Sequence, residues 1–266
     1  MTGQADLKGG GHLAYAVRGE GPALLLVRPV GGSMVSWHRF AALLEEKARV
    51  ISFDARGTGQ SSAAPLNTTT RTMAADARAL LDHLGIDRAH VFGLSLGGMV
   101  ATWLALDSPA GVDRLVLAST MPKGLEVRAG AVFRGLSIAR ALVRAPAEAE
   151  AHLVTQILSR KFRQEHPEEV VRVQELARRF PASHRGLLTM LAAAARHDAL
   201  SELKRINAPT LVVEGELDPL LTGRSHRELL GDIPDARFER IPAAGHDLSI
   251  EAPEACAKLV LAFIDA

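Results

Sequence analysis

Short apolar runs alternate with longer amphipathic stretches along most of this chain. The apolar runs have the length and the aliphatic content of buried strands, and they predict strands at residues 12–17, 23–27, 49–53, 89–92, 114–118, 210–214 and 237–241. The stretches between them carry apolar residues at helical spacing and predict helices at residues 37–47, 70–84, 96–107, 223–230 and 253–264. Strands that alternate with helices are typical of a parallel sheet covered on both faces. The pattern therefore predicts an α/β fold with a mainly parallel central sheet.

The alternation stops between Pro122 and about Leu200, where no strand-like run occurs. Helices are predicted there at residues 129–143, 147–163, 167–180 and 183–195, and prolines separate them. We therefore expect a core made of residues 1–121 and 201–266 and an all-helical insert at residues 122–200, here called the cap. The cap contains 13 basic and 8 acidic residues, a net charge of +5. This excess fits either solvated helix faces or a mouth that favours acidic substrates.

Length, charge and cysteine content exclude several classes of protein. The 266 residues, 47% of them hydrophobic, suffice for one globular unit, and a net charge of +1 argues against a nucleic-acid partner. No apolar signal-peptide core and no run of about 18 apolar residues occurs, so we expect no membrane association and a cytoplasmic location. The single cysteine, Cys256, excludes an intrachain disulfide and a cysteine-rich metal site. No pattern indicates a metal or an organic cofactor; a small-molecule substrate is expected, and a homodimer is compatible with the sequence.

The segment Gly93-Leu94-Ser95-Leu96-Gly97 lies between a predicted buried strand and a predicted helix. A serine at such a sharp turn presents an exposed Oγ, and the flanking glycines allow neighbouring segments to approach closely. The pattern G-x-S-x-G by itself is a weak signal, since a chain of this composition contains one by chance about one time in ten. The order of strand, turn and helix supplies the structural context that the motif requires. Ser95 is therefore predicted to be a nucleophile.

Two residues in later loops complete a candidate catalytic set. A serine hydroxyl needs a base within hydrogen-bonding reach, and that base needs an acceptor that fixes its tautomer. Asp218 and His246 each come shortly after a predicted strand, and loops that follow parallel strands share one edge of the sheet. We therefore expect both residues to meet Ser95 there, as acid and base. Glu216 is an alternative acid, and Asp218 before Pro219 is also compatible with a simple turn.

Four segments, taken in order, resemble the α/β-hydrolase superfamily over nearly the whole chain. They are Phe53-Asp54-Ala55-Arg56-Gly57-Thr58-Gly59-Gln60-Ser61, the Ser95 segment, Gly215-Glu216-Leu217-Asp218-Pro219 and Gly245-His246. The resemblance implies a mainly parallel sheet, a helical cap and a Ser-His-Asp site of the esterase type. Residues 54–122 are also similar to small-lactone hydrolases of the enol-lactonase type and to cofactor-free perhydrolases. The expected activity is hydrolysis of a carboxylic ester or lactone through an acyl-enzyme.

The chain departs from the family pattern after the strand at residues 23–27. There the family usually has His-Gly, whereas this chain has Arg28-Pro29-Val30-Gly31-Gly32, here called the oxyanion loop. By position, the resemblance assigns the two oxyanion-binding N–H groups to Val30 and Leu96. Pro29 has no N–H, but the donor is expected from the next residue. The oxyanion hole, which these two N–H groups form, is retained if the backbone of the loop follows the same path as in the family. The sequence leaves this path open.

Several large side chains are expected to shape the space for the substrate. Arg28 either binds a substrate carboxylate at the mouth or makes a structural contact within its loop. The other candidates are Trp37, Met121, Phe133 and Met190. The same three residues are also compatible with a cyclase, an acyltransferase, a carbon–carbon bond hydrolase or a ligand receptor. Which substrate enters the site depends on the cap.

Overall fold

Hydrophobic side chains fill both faces of a central sheet in the computed structural model of this chain, which describes residues 1–124, 146–221 and 223–266. The strand at Ala23–Val27 shows the reason, because side chains alternate between the two faces of a strand. Leu25 and Val27 join the hydrophobic cluster on one face, whereas Leu24 and Leu26 join the cluster on the other. Sheets buried on both faces have strands with continuous apolar runs, as this sequence has.

The described residues form an eight-stranded sheet in the order β1-β2-β4-β3-β5-β6-β7-β8. The strands are β1 Thr2–Asp6, β2 His12–Arg18, β3 Ala23–Val27, β4 Arg49–Phe53, β5 Ala89–Leu94, β6 Val112–Ala118, β7 Thr210–Gly215 and β8 Ala236–Ile241. β1, β2 and β4 pair antiparallel, and the remaining pairs are parallel. The predicted mainly parallel α/β fold is confirmed.

The first strand is absent from the sequence-based prediction. Residues 1–11 are polar and contain glycine, so they lack the apolar alternation that indicates a strand. In the structure, the backbone of β1 pairs with β2 from Thr2 opposite Ala16 to Asp6 opposite His12, at the edge of the sheet. Backbone hydrogen bonds to a neighbouring strand, rather than buried side chains, define this element.

Helices cover both faces of the sheet. They are α1 His38–Leu44, α2 Thr70–His83, α3 Leu96–Asp107, α4 Pro146–Ile157, α5 Arg160–Glu165, α6 Pro167–Arg179, α7 His184–Ala195, α8 Gly223–Asp232, α9 Leu248–Glu251 and α10 Pro253–Ile264, with 3-10 helices at Met34–Trp37 and Leu200–Arg205. α2 and α3 pack on one face, and α1 and α10 pack on the other. Of the helices described, none has both the length and the apolar content to cross a bilayer.

The described part of the cap, from residue 146 onward, consists of α4 to α7. The predicted helix at residues 147–163 is two helices, because Ser159 starts α5 by accepting the N–H of Phe162 at 3.1 Å. The predicted helix at residues 129–143 lies outside the described residues. Lys123 and Asp198 form an isolated antiparallel bridge and an ion pair of 3.0 Å, which joins the two ends of the cap.

Candidate active site

Ser95 forms a sharp turn between β5 and α3. Its backbone has φ 56° and ψ −117°, a conformation that costs energy in a residue other than glycine. The N–H of Ser95 donates to the carbonyl of Ala118 at 2.9 Å, and Thr120 Oγ1 donates to the carbonyl of Ser95 at 2.7 Å. A Cβ at Gly97 would lie 2.0 Å from the carbonyl oxygen of Val27, so the turn requires glycine there. These contacts hold the strained serine at the carboxyl edge of the sheet.

His246 and Asp218 form a hydrogen-bonded line with Ser95. The hydroxyl of Ser95 donates to Nε2 of His246 over 2.9 Å, and Nδ1 of His246 donates to Oδ2 of Asp218 over 2.8 Å. Because an ionised carboxylate only accepts, the neutral ring carries its proton on Nδ1 and turns the Nε2 lone pair to the serine. Oδ1 of Asp218 accepts the N–H groups of Leu220 and Leu221 at 2.7 and 3.0 Å. The structure thus brings the three predicted residues together.

The two buried partners of this line shift each other's pKa. Burial alone would lower the pKa of His246, but the Asp218 carboxylate and its hydrogen bond outweigh burial, and the net shift is upward. Burial alone would raise the pKa of Asp218, but His246 and the backbone N–H groups outweigh it, and the net shift is downward. Asp218 therefore stays ionised and stabilises the imidazolium that forms when His246 accepts a proton.

The alternative acid, Glu216, lies elsewhere. It is exposed, and its Oε2 accepts the N–H of Ala243 at 2.9 Å, which joins the loops that follow β7 and β8. Nδ1 of His246 donates to Asp218 and not to Glu216, so the geometry favours Asp218 as the acid. Within the described ranges, no three His, Cys, Asp or Glu side chains are grouped to hold a metal ion.

The two predicted oxyanion donors lie on the segments that flank Ser95. The oxyanion loop follows β3, which is the direct neighbour of β5 in the sheet. Leu96 is the first residue of α3, so its N–H has no acceptor within the helix. Among the described residues, no backbone carbonyl accepts the N–H of Val30. Neither N–H is bound by a backbone carbonyl among the described residues, and their role as oxyanion donors stays a prediction.

A half-buried carboxylate joins the loop of His246 to the cap. Oε2 of Glu251, in α9, accepts the N–H of Gly245 at 2.9 Å and the hydroxyl of Ser159 at 2.6 Å, while its Oε1 accepts the N–H of Ser159 at 3.0 Å. Burial raises the pKa of Glu251, against these hydrogen bonds. Sequence reasoning missed this residue, because an isolated glutamate in a helix is usually exposed and carries no signal of burial.

The structure corrects the expectation for Trp37. Its side chain is wholly buried, with ring centroids 5.6 Å from Phe40 and 5.8 Å from Phe92. The indole belongs to the hydrophobic cluster beside α1 and α10, so it fills the interior of the core rather than shaping substrate space. The guanidinium carbon of Arg28 lies 5.0 Å from the centre of the indole ring.

Arg28 lies among three carboxylates. Burial lowers the pKa of Arg28, and the charges of Asp247, Glu150 and Asp54 oppose this shift. Nε of Arg28 has no hydrogen-bond partner among the described residues. Because buried charges require compensation, a guanidinium in this setting balances negative charge already present. The surroundings favour the structural role of Arg28 over recognition of a further carboxylate.

The remaining candidates for substrate contact fall into two groups. Met121 and Met190 are 7% and 2% exposed and belong to the same hydrophobic cluster as Leu96. Met190, in α7, also lines a cavity with Met73, Pro29, Gly31 and Gly32, so the cap meets the oxyanion loop there. Phe133 lies outside the described residues.

Comparison with known proteins agrees with the fold. Residues 22–253 match the family model described as alpha/beta hydrolase fold. The chain belongs to this family. As an α/β hydrolase it is 30% identical over 246 residues to 3-oxoadipate enol-lactonase 2 of Acinetobacter baylyi, which covers 91% of this chain and 89% of the relative.

Two further relatives show how wide the chemistry of similar α/β hydrolases is. A provisionally named carbamate hydrolase, RutD of Variovorax paradoxus, is 33% identical over 244 residues, 90% of each chain. The crystal structure of the enol-lactonase from Burkholderia xenovorans superposes with a TM-score of 0.87 and 26% identity, covering 99% of this chain and 100% of that one. These likenesses support a hydrolase and leave its substrate open.

Proposed function

We propose that this α/β hydrolase is a serine hydrolase that cleaves a carboxylic ester or a lactone of a small molecule. The observation that carries the proposal is the hydrogen-bonded line from Ser95 through His246 to Asp218, with the serine in a strained turn at the carboxyl edge of the sheet. The similarity to two enol-lactonases adds support for a lactone.

The geometry is suited to acyl transfer in two steps. His246 Nε2 takes the hydroxyl proton of Ser95 as the oxygen attacks the carbonyl carbon, and the N–H groups of Val30 and Leu96 bind the resulting oxyanion. His246 then returns the proton to the leaving oxygen, which breaks the ester bond and leaves an acyl-serine. Water, deprotonated by His246, attacks this acyl group and releases the acid, and the proton returns to Ser95. A lactone gives a hydroxy acid, because its leaving oxygen stays attached.

A fluorophosphonate probe tests the nucleophile directly. We expect stoichiometric labelling of Ser95 in the folded protein, and an unlabelled Ser95 would refute the proposal. Esters, lactones, thioesters and β-diketones assayed with wild type and Ser95→Ala would then assign the substrate class. Hydrogen peroxide or a second alcohol, added as a competing nucleophile, reveals perhydrolysis or acyl transfer as a change of product.

The location and the assembly of the enzyme are proposed from the sequence. We propose a cytoplasmic enzyme that acts on a small molecule, and a homodimer is its candidate assembly. Fractionation of cells that express the chain checks the location, and light scattering after gel filtration measures the mass of the assembly. A membrane-bound fraction would contradict the first proposal, and a monomer would contradict the second.

A further inference from the structure

The conformation of the oxyanion loop is not fixed by its own sequence. Gly31 and Gly32 have φ 78° and 69°, in the left-handed region that glycine enters without steric cost. Glycine also adopts extended conformations equally readily, so two consecutive glycines leave the path of the loop adjustable. The N–H of Val30 directly precedes them. A contact from outside the loop is therefore needed to hold that donor in one position.

Glu150, in helix α4 of the cap, provides such a contact. One carboxylate oxygen, Oε1, accepts the N–H of Gly32, and the other, Oε2, accepts the N–H of Ala182 at 2.7 Å. The residue is 1% exposed. The carboxylate thus joins the oxyanion loop to two separate segments of the cap. Both of its oxygens are used, and both bonds go to backbone, so the contact fixes the main chain rather than a side chain.

The surroundings of Glu150 indicate that packing alone does not explain it. The cap has an apolar cluster here: Leu153, on the same helix, is buried with Ala182 and Leu187, and Val30 packs against this cluster. Burial raises the pKa of Glu150, while the two backbone N–H groups and Arg28 act in the opposite direction. Burying a carboxylate is costly, and an apolar side chain would fill the same space without that cost. The carboxylate therefore serves the two backbone N–H groups that it binds and the charge of Arg28.

Arg28 also lies against Gly32. A Cβ at Gly32 would lie 2.7 Å from a guanidinium nitrogen of Arg28, so the side chain of Arg28 packs directly on this glycine. The charges of Arg28 and Glu150 are opposite, and each offsets the cost of burying the other. Arg28, Gly32 and Glu150 thus form one structural unit.

We propose that Glu150 is a positioning residue for the oxyanion hole: its carboxylate fixes Gly32 and thereby holds the N–H of Val30 toward the reacting carbonyl. The proposal rests on the serine-hydrolase function above. Glu150 does not contact the substrate. Its effect is expected in the transition state, where negative charge develops on the oxygen, and not in the binding of the uncharged ester.

The test compares Glu150→Gln with Glu148→Gln. Glutamine has the same shape, but its NH₂ group cannot accept, so one of the two backbone N–H groups loses its partner. Glu148 lies on the same helix, is exposed and pairs with Arg178 at 2.8 Å, so it is a matched control. Losing an oxyanion donor costs about 10² to 10³ in kcat. For Glu150→Gln we expect kcat per active site to fall about 10- to 100-fold with KM within about twofold; Glu148→Gln should match wild type.

Two further measurements separate positioning from general damage. The amplitude of the initial burst of product gives the number of folded active sites. The turnover rate is divided by this number to give kcat per active site. A trifluoromethyl ketone places a charged oxygen in the hole, and its affinity should fall in parallel with kcat, while binding of the product acid is unchanged. If Glu150→Gln does not fold, Glu150→Asp, which keeps the charge but shortens its reach, is measured with the same expectations.

The outcomes distinguish the two proposals. An inactive, unlabelled wild type refutes the serine-hydrolase function itself. An active wild type, with kcat and ketone affinity in the Glu150 variants within twofold of it, leaves that function standing and overturns the positioning role. A rise in KM with unchanged kcat, or a fall in kcat without a fall in ketone affinity, also overturns it.

Discussion

Nε2 of His246 lies 2.9 Å from Oγ of Ser95, although 151 positions separate the two residues in the chain. Both follow strands of one sheet, β8 and β5, and the loops after those strands meet at its carboxyl edge. The serine is held by its strained turn and the histidine by its bond to Asp218. The arrangement of the strands therefore brings these two atoms within hydrogen-bonding distance. The activity of the variants below depends on this contact.

Replacement of the serine is expected to abolish turnover. Ser95→Ala should lower kcat at least 10³-fold and remove fluorophosphonate labelling, because no nucleophile remains. Ser119 is the control: it follows the neighbouring strand β6 and has a similar φ of 44°, but its side chain is buried whereas that of Ser95 is partly exposed. Ser119→Ala should keep both activity and labelling, as shown by mass spectrometry of the labelled peptide. Label on Ser119 in wild type would contradict the assignment.

Replacement of the acid should be nearly as severe. Asp218→Asn removes the acceptor that keeps the proton on Nδ1 of His246, and loss of this orientation costs about 10⁴ in kcat in the serine-protease template. Glu216→Gln changes an exposed carboxylate that contacts Ala243, and kcat should stay within about twofold. Steady-state kinetics of the two variants check this. Equal losses in both would mean that the acid is misassigned.

The pH profile should report the pKa of His246. The base acts only as neutral imidazole, and Asp218 raises its pKa above the ordinary 6.5 despite burial. The kcat/KM of wild type should therefore rise with pH along an acid limb whose midpoint lies above 6.5. A substrate that does not ionise in this range is used for the measurement. A midpoint below 6.5 would show that the raising influence of Asp218 is absent.

A second histidine should make the fold sensitive to acid. His197 is buried, its Nδ1 shares a hydrogen bond of 2.9 Å with Thr70 Oγ1, and burial lowers its pKa to about 4. Between the ordinary pKa of 6.5 and the folded pKa of about 4, His197 binds a proton in the unfolded chain but not in the folded chain. The free energy of unfolding should thus fall by about 2 kcal/mol between pH 7 and 4.5 through this group.

Urea unfolding of two variants isolates that contribution. In His197→Gln the loss of stability between pH 7 and 4.5 should be smaller than in wild type by about 2 kcal/mol. His184→Gln, at an exposed position of α7, should retain the wild-type pH dependence. Identical pH dependence in all three proteins would argue against a buried neutral His197.

The turn at Ser95 should not tolerate a larger residue at Gly97. In Gly97→Ala the new methyl would meet the Val27 carbonyl at 2.0 Å, so we expect about 3 kcal/mol of destabilisation and a lower Tm. At Gly231, in α8, a methyl group would have no neighbouring atom within 4 Å, and Gly231→Ala should gain about 0.5–1 kcal/mol from helix propensity. Thermal unfolding compares the two, and equal Tm values would show that the close approach is relaxed.

Local patterns predicted most of the framework of this enzyme. Two helices, Leu96–Asp107 and Pro253–Ile264, begin and end where the apolar periodicity places them. The buried strands were visible because both faces of the sheet are covered. The edge strand Thr2–Asp6 was not, because its hydrogen bonds to β2 leave no mark in the order of polar and apolar residues.

The sequence by itself determined the α/β architecture and named Ser95, Asp218 and His246, because hydrophobic periodicity and a glycine-flanked serine are local features of the chain. Only the tertiary structure decided that Trp37 fills the core, that Arg28 lies among carboxylates and that Glu150 and Glu251 fasten the cap to the loops of the site. The physical reason is that burial, and the partner of a buried charge, depend on residues that are distant in sequence and meet only when the sheet and the cap are assembled.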